Sequence, residues 1–406
     1  MTSHTLGLVI VVLTLGGIAA GSLPIVRMNR ATMAIVGATA LVLVGTISLE
    51  DAYAAIDLNT IVLLFGMMVL NANLRLAGFF DIVARRLAHR AHSPAVLLVV
   101  TVFTAGVLSA VFLNDTIVLV FTPLLLEVTR VAGLNPLPFL MAAATAANVG
   151  SVATLVGNPQ NMLIGVASGI GFNRFLAALA PVAIGGLLLV AIVLLVVYRG
   201  ALTPCVVEVD TAPAPRVHRP LLRKSIVASI LLVIGLVAGM PVPLAALGAA
   251  SVLLVTRRIK PARVFQEIDW SLLVFFSGLF VVTFAAEHLG VTDAVFGWLQ
   301  RTGTDVVELS IVAAVVSNVV SNVPAVLLLR PVVEALARPE AGWLTLAMAT
   351  TLAGNLTLLG SVANLIVAES AGRAGVRLSF REYLKAGVPI TLLTLAWGIA
   401  WISLTT

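Results

Sequence analysis

Charge is the first thing this sequence lacks. Lys, Arg, Asp and Glu make up 10% of its 406 residues, where a soluble domain carries about 25%. So few charges cannot cover a water-exposed surface. Hydrophobic residues make up 60% and mean hydropathy is +1.12, so the chain is a polytopic membrane protein. Cysteine is nearly absent too: Cys205 alone excludes a disulfide or a thiolate metal cage within one chain. No GxxxxGK[ST] loop occurs, so the chain has no ATPase of its own. No nucleophile–base pair or metal-ligand cluster falls within the apolar segments, which argues against an enzyme and calls for no cofactor and no metal. Basic residues are missing before the first apolar run, "MTSHTLGLVIVVLTLGGIAAGS", which therefore reads as a first span and not a cleaved signal. The net charge of +6 sits in short loops, so the expected surroundings are a lipid bilayer, with no nucleic acid.

What is present is a series of apolar runs long enough, as helices, to cross about 30 Å of hydrocarbon. They read as an all-α bundle with spans at 5–23, 31–49, 58–77, 138–167, 175–198, 225–240, 244–256, 270–287, 343–368 and 386–404. Two further stretches, 95–130 and 309–335, each have two apolar arms around a polar interruption, "VFLNDTIVLVF" and "VSNVVSNVPAVLL". Read as re-entrant helical hairpins, they place all Lys and Arg on one side except Arg174, Arg301, Arg330 and Arg338. The positive-inside rule makes that side cytoplasmic. The expectation is ten spans, two hairpins and both termini periplasmic, in a bacterial inner membrane.

The two halves repeat. "IDLNTIVLLFGMMVL" from Ile56 matches "IDWSLLVFFSGLFVV" from Ile268, and "TLVGNPQN" from Thr154 matches "TLLGSVAN" from Thr357. "LNDTIVLVFTPLLLEV" matches "SNVPAVLLLRPVVEAL", setting Pro123 opposite Pro331, and Pro181 falls opposite Pro389. In the charge-derived topology the copies run in opposite directions, as in many secondary transporters. The expected organisation is a first repeat over 1–198, a cytoplasmic linker over 199–224 and a second, inverted repeat over 225–406.

Polar residues cluster where this architecture needs them. "GNPQN" cannot continue a helix, because Pro159 lacks an amide hydrogen and Gly157 and Asn158 favour turns. The span at 138–167 should therefore break near mid-membrane, and its counterpart at 343–368 should break at Gly360-Ser361. Irregular backbone survives in a bilayer only where it lines a cavity or packs on protein. The candidate binding residues are Asn148, Thr154, Gly157, Asn158 and Asn161 at the first break. At the second they are Asn355, Thr357, Gly360, Ser361 and Asn364, and at the hairpin tips Asn114, Asp115, Thr116, Ser321 and Asn322. Asp115 is the sharpest signal, since a carboxylate at this depth costs about 2.5–3.5 kcal/mol on insertion scales. A proton carrier or a sodium ligand would both fit, and the first is favoured. Arg75, Glu287, Arg330 and His288 read as interfacial residues, and 79–91 as an amphipathic helix on the inner leaflet.

At these motifs the chain resembles the ion transporter superfamily, over nearly its whole length. "NDT" with a following "TP", then "NPLPFLMAAATAANVGSVATLVGNPQN", is most similar to the arsenical efflux permease branch. Sodium-coupled dicarboxylate carriers have Ser-Asn-Thr at both tips, a pattern missing here. The resemblance implies proton-coupled export of arsenite and antimonite by alternating access, with the hairpins and broken helices moving against a scaffold of 5–49 and 225–256. An importer of small anions (dicarboxylate, citrate or sulfate) and a sodium/proton antiporter are the other readings. A homodimer and a cytosolic ATPase partner are compatible with the sequence, which requires neither.

Overall fold

The computed structural model describes residues 3–23, 27–90, 93–202, 217–256, 259–291 and 305–406. Cys205, Arg216, Arg257, Arg258 and Arg301 lie outside the described residues. Apart from a two-residue bridge pairing Ser22–Leu23 with Met28–Asn29 and a 3-10 turn at Arg199–Ala201, the regular structure is helical.

The first half comprises α1 (Ser3–Ala20), α2 (Arg30–Leu43), α3 (Leu49–Ala55), α4 (Leu58–Leu76), α5 (Phe79–Arg90), α6 (Pro94–Val111), α7 (Asn114–Val131), α8 (Leu137–Ser151), α9 (Pro159–Ser168) and α10 (Phe172–Val197). The second comprises α11 (Arg219–Val237), α12 (Val242–Leu254), α13 (Pro261–Gln266), α14 (Trp270–His288), α15 (Val306–Val320), α16 (Asn322–Glu334), α17 (Pro339–Ala353), α18 (Val362–Arg373) and α19 (Phe380–Thr405). Local chemistry explains many boundaries. Asp57 and Asp269 cap α4 and α14 with their carboxylates, Ser93 caps α6, and Asn158 and Ser361 cap the helices after the two interruptions. Three apolar runs differ from the sequence expectation. The run at 31–49 stops at Leu43, and a separate short helix, α3, follows under its own Ser48–Asp51 capping box. The spans expected from 225 and 386 begin at Arg219 and Phe380, because polar first turns continue the helices beyond their apolar stretches.

Among the described residues, six helices are by length and composition long and apolar enough to cross a membrane singly: α4, α6, α10, α11, α14 and α19. At 1.5 Å per residue, α8 and α9 are about 22 and 15 Å long, so they cross only as a pair. The outer surface is apolar in stripes. Val307, Ile311, Val315 and Val319 are exposed one turn apart along α15, as are Ile184, Leu188, Ile192 and Val196 along α10. Such surface belongs against lipid tails.

The halves interlock. Helix α2 packs on α14, and α4 packs on α12. At both contacts a glycine lets the backbones touch. A Cβ on Gly66 would meet the Ala246 backbone at 2.8 Å, and one on Gly278 would meet the Ala34 backbone at 2.7 Å. Around this group stand the paired helices α6–α7 and α15–α16, the interrupted helices α8–α9 and α17–α18, and the long helices α10 and α19, which pack on each other.

Candidate functional site

Both interruptions are closed by the same device. The first runs from Val152 to Asn158, and Asn161, one turn into α9, sends its amide nitrogen back to the carbonyls of Ser151 (3.1 Å) and Thr154 (3.0 Å). In the second, which runs from Gly354 to Ser361, Asn364 reaches the carbonyls of Gly354 (2.8 Å) and Thr357 (3.2 Å). Each asparagine supplies the donors that the missing helical turn would have supplied, which keeps a broken helix viable away from water.

The tips dock onto these breaks. The backbone nitrogen of Asn114, at the turn from α6 to α7, donates to the Gly157 carbonyl at 3.0 Å. Gly157 is packed too tightly for any side chain, since a Cβ would lie 2.5 Å from the Ser151 carbonyl oxygen and 2.7 Å from that of Ser109. The Thr154 hydroxyl donates to the Ala110 carbonyl, fixing α6 to the same break. At the other tip, between α15 and α16, Ser317 donates to Asn322 (2.7 Å) and Asn318 donates to the Ala353 carbonyl (3.0 Å).

Asn148 joins the halves. Its amide oxygen accepts from Asn114 (3.1 Å) and Ser361 (3.0 Å), and its nitrogen donates to Asn355 (2.9 Å) and Asn364 (3.2 Å). Asn355 in turn donates to the Thr145 carbonyl at 3.1 Å. On α17, Thr351 accepts from Gln160 (3.1 Å) and Asn158 (3.4 Å). The network is buried, so its members bind one another in place of water.

Beside it lies a cavity of about 740 Å³, within the range of small-molecule sites. Asn114, Asp115 and Gln160 line it from the first half, with Ser321, Asn322 and Ser361 from the second. Its opposite wall comes from the ends of α1 and α2, including Arg30, and from the start of α14, including Asp269, Ser271 and Phe275. A second cavity of about 160 Å³ holds Thr116 and shares Asp115 and Asp269 with the first. Nine of the expected residues line neither: Asn148, Thr154, Gly157, Asn158, Asn161, Asn355, Thr357, Gly360 and Asn364 stand behind the wall. For most of these, hydrogen bonds account for the placement.

Over residues 9–353 the chain matches the family described as the citrate transporter family. The chain belongs to that family. This citrate transporter family member is 32% identical to "Silicon efflux transporter LSI3" of Oryza sativa subsp. japonica, across 93% of each chain. It is 29% identical to "Putative transporter arsB" of Dictyostelium discoideum, over 91% of this chain and 86% of that one. In fold it is similar to the YdaH transporter of Alcanivorax borkumensis, with a TM-score of 0.61 at 18% identity, covering 100% of this chain and 98% of the other. The family member is thus a multi-pass membrane transporter and not an enzyme.

Sequence reasoning overlooked four residues at this site. Gln160 sits inside the amide-rich run that drew attention to the region. Asp269 is in the repeat block beginning at Ile268. Asn71 is as conspicuous within the apolar α4 as Asp115 is at its tip, so the same depth argument would have found it. Arg30 gave no signal, because a basic residue at a helix start reads as a loop charge. Arg75, expected to be interfacial, pairs with Glu267, while Arg330 pairs with Glu334 at 2.8 Å one turn along α16.

Proposed function

We propose that this transporter exports small uncharged metalloid hydroxides, arsenite and antimonite foremost, in exchange for protons. The cavity lining carries this reading. Its deep wall is made of amides and hydroxyls, and its charged groups are Asp115, Asp269 and Glu369 against Arg30 alone. Three acids facing one base repel a di- or tricarboxylate but leave As(OH)₃ free to exchange hydrogen bonds with Asn114, Asn322, Ser321 and Ser361. Silicon in neutral water is likewise an uncharged hydroxide, so the silicon efflux and arsB names of the two relatives point to one chemistry.

In this reading the chain is two inverted repeats. Helices α1, α2, α11 and α12 form the scaffold, while the pairs α6–α7 and α15–α16 and the interrupted helices α8–α9 and α17–α18 form the moving unit. The pairs α6–α7 and α15–α16 are re-entrant hairpins. Docking of the Asn114 tip on an interruption about midway along α8–α9 supports this. Arg30 and Glu369 line the cavity and stand next to basic loops taken as cytoplasmic, so in this reading the conformation faces inward and both termini are periplasmic. Asp115 carries the proton. One proton moving down 100 mV releases about 2.3 kcal/mol, enough to hold about a forty-fold gradient of a neutral substrate.

Proteoliposomes offered arsenite, antimonite, citrate, succinate, sulfate or sodium, each with and without a pH gradient, test this. Arsenite transport that follows the pH gradient, and is lost in Asp115→Asn while the protein still reaches the membrane, is the expected result. Citrate or sulfate uptake, or sodium/proton exchange without arsenite movement, would replace it with one of the other two readings.

A further inference from the structure

Asn114 spends both ends of its amide inside the protein: the nitrogen donates to Asn148 and the oxygen accepts from the Asp115 backbone. Two other amides on the deep wall of the large cavity, Gln160 and Asn322, each keep one end free. Gln160, on the first turn of α9, is 4% exposed, and its nitrogen donates to the Thr351 hydroxyl at 3.1 Å. Its oxygen has no hydrogen-bond partner among the described residues. Unlike the Asn71 amide, that oxygen is not sealed off by protein, and Gln160 lines the cavity. Asn322, at the start of α16, has the opposite polarity. Its oxygen accepts from Ser317 at 2.7 Å, and its nitrogen, also unpartnered and unsealed, is left for the cavity. The two anchors lie within one turn of α17. Gln160 is tied to Thr351, and the Ser317 that holds Asn322 stands 3.2 Å from the Thr350 carbonyl. A Cβ on Gly354, the residue after α17, would lie 3.4 Å from the Asn322 nitrogen. A free acceptor and a free donor are thereby brought to one patch of wall.

We propose that Gln160 and Asn322 form a hydroxyl clasp that makes the cavity select protonated hydroxides over ionised oxyanions, with Gln160 the specificity-determining residue. The proposal rests on the large cavity being the substrate site. A hydroxyl is the complement of the pair, because it accepts through its oxygen and donates through its hydrogen. The substrate oxygen accepts from the Asn322 nitrogen, and its hydrogen is donated to the Gln160 oxygen. Arsenite, as As(OH)₃, satisfies both ends. A sulfate or carboxylate oxygen carries no hydrogen, so its lone pairs face those of Gln160 and a desolvated acceptor is left unmet. Anchoring on α17 fixes both amides before a substrate arrives, which spares the cost of ordering them on binding. In the repeat, Gln160 falls opposite Ala363, so the clasp occurs once in the chain.

The test is arsenite binding to the full chain in detergent at neutral pH, followed by titration calorimetry, with sulfate and citrate as competitors. Cys205→Ser in every sample removes the chain's only thiol, a second place for arsenite to bind. Gln160→Met keeps the length of the side chain and loses the acceptor. It should weaken arsenite binding about tenfold, the scale of one lost hydrogen bond. Asn322→Leu removes the donor at similar volume and leaves Ser317 the Thr350 carbonyl to donate to, and a similar weakening is expected. Gln160→Glu still turns an oxygen to the cavity while Thr351 donates to the other, so it should stay within about threefold of the unaltered chain. Arsenite bound equally well by Gln160→Met and Asn322→Leu would overturn the clasp and leave the export reading standing. A loss in Gln160→Glu as large as in Gln160→Met, or sulfate displacing arsenite at equal concentration, would overturn it too. Citrate bound where arsenite is not would overturn both readings. Arsenite bound as expected, yet not moved by a pH gradient in proteoliposomes, would overturn only the transport reading.

Discussion

The turns between α6 and α7 and between α15 and α16 are built on matching sequence, yet their local structures differ. At the first, Leu113 turns the chain at φ −57° and ψ 123°, Asn114 hydrogen-bonds both to the break and to Asn148, and Asp115 follows at the cavity wall. At the second, Ser321 makes the turn at φ 79° and ψ 161°, a region that disfavours any residue with a Cβ, and Val323 occupies the place of Asp115. The frame is symmetric: Asn161 and Asn364 close their breaks on equivalent carbonyls, and the Gly66–Ala246 and Gly278–Ala34 contacts mirror each other. The comparison teaches that matching sequence closes both breaks in the same way, while the two tips take different local structures.

Substitutions can break or sharpen that contrast. The largest effect on stability should come from Asn148→Leu, which strips partners from Asn114, Ser361, Asn355 and Asn364 at once. At about 1–3 kcal/mol for each buried group left unpaired, most of the fold's margin would go, read as a large drop in thermal midpoint in detergent. Asn161→Leu and Asn364→Leu remove one copy each of the repeated device. Each should cost about 1–3 kcal/mol, and near-equal losses would confirm that the breaks are equivalent. A loss confined to Asn161→Leu would show that only the first break bears load. The smallest effects separate the tips: Ser321→Gly relieves a disfavoured backbone and should stabilise by about 1 kcal/mol or slightly more. Leu113→Gly, at a relaxed turn, should instead destabilise by about 0.5–1 kcal/mol. Thermal midpoints moving in the same direction would remove the distinction.

Much of the architecture could be read from composition and punctuation. Pro159 beside Gly157 and Asn158 marked the first break, and the repeat carried that inference to Ser361. The helix starts at Arg219 and Phe380 were missed because hydropathy marks where lipid begins, whereas a helix starts at its cap. The site was harder to read. Asn148 and Asn114 lie in similar apolar surroundings in sequence, yet one stands behind the wall and the other lines the cavity. Arg75 found Glu267 across the fold, a pairing no spacing along the chain could show.

By itself, the sequence determined that this chain lives in lipid as helices, that two of those helices must break, and that polar residues gather at the breaks and tips. It could do so because hydropathy and backbone chemistry are properties of neighbours along the chain. Which amides join the halves, and which are left facing an open space beside Asp115, was decided by tertiary structure alone. Hydrogen-bond partners are chosen through space, and the residues that compete for Asn148 come from both ends of the molecule.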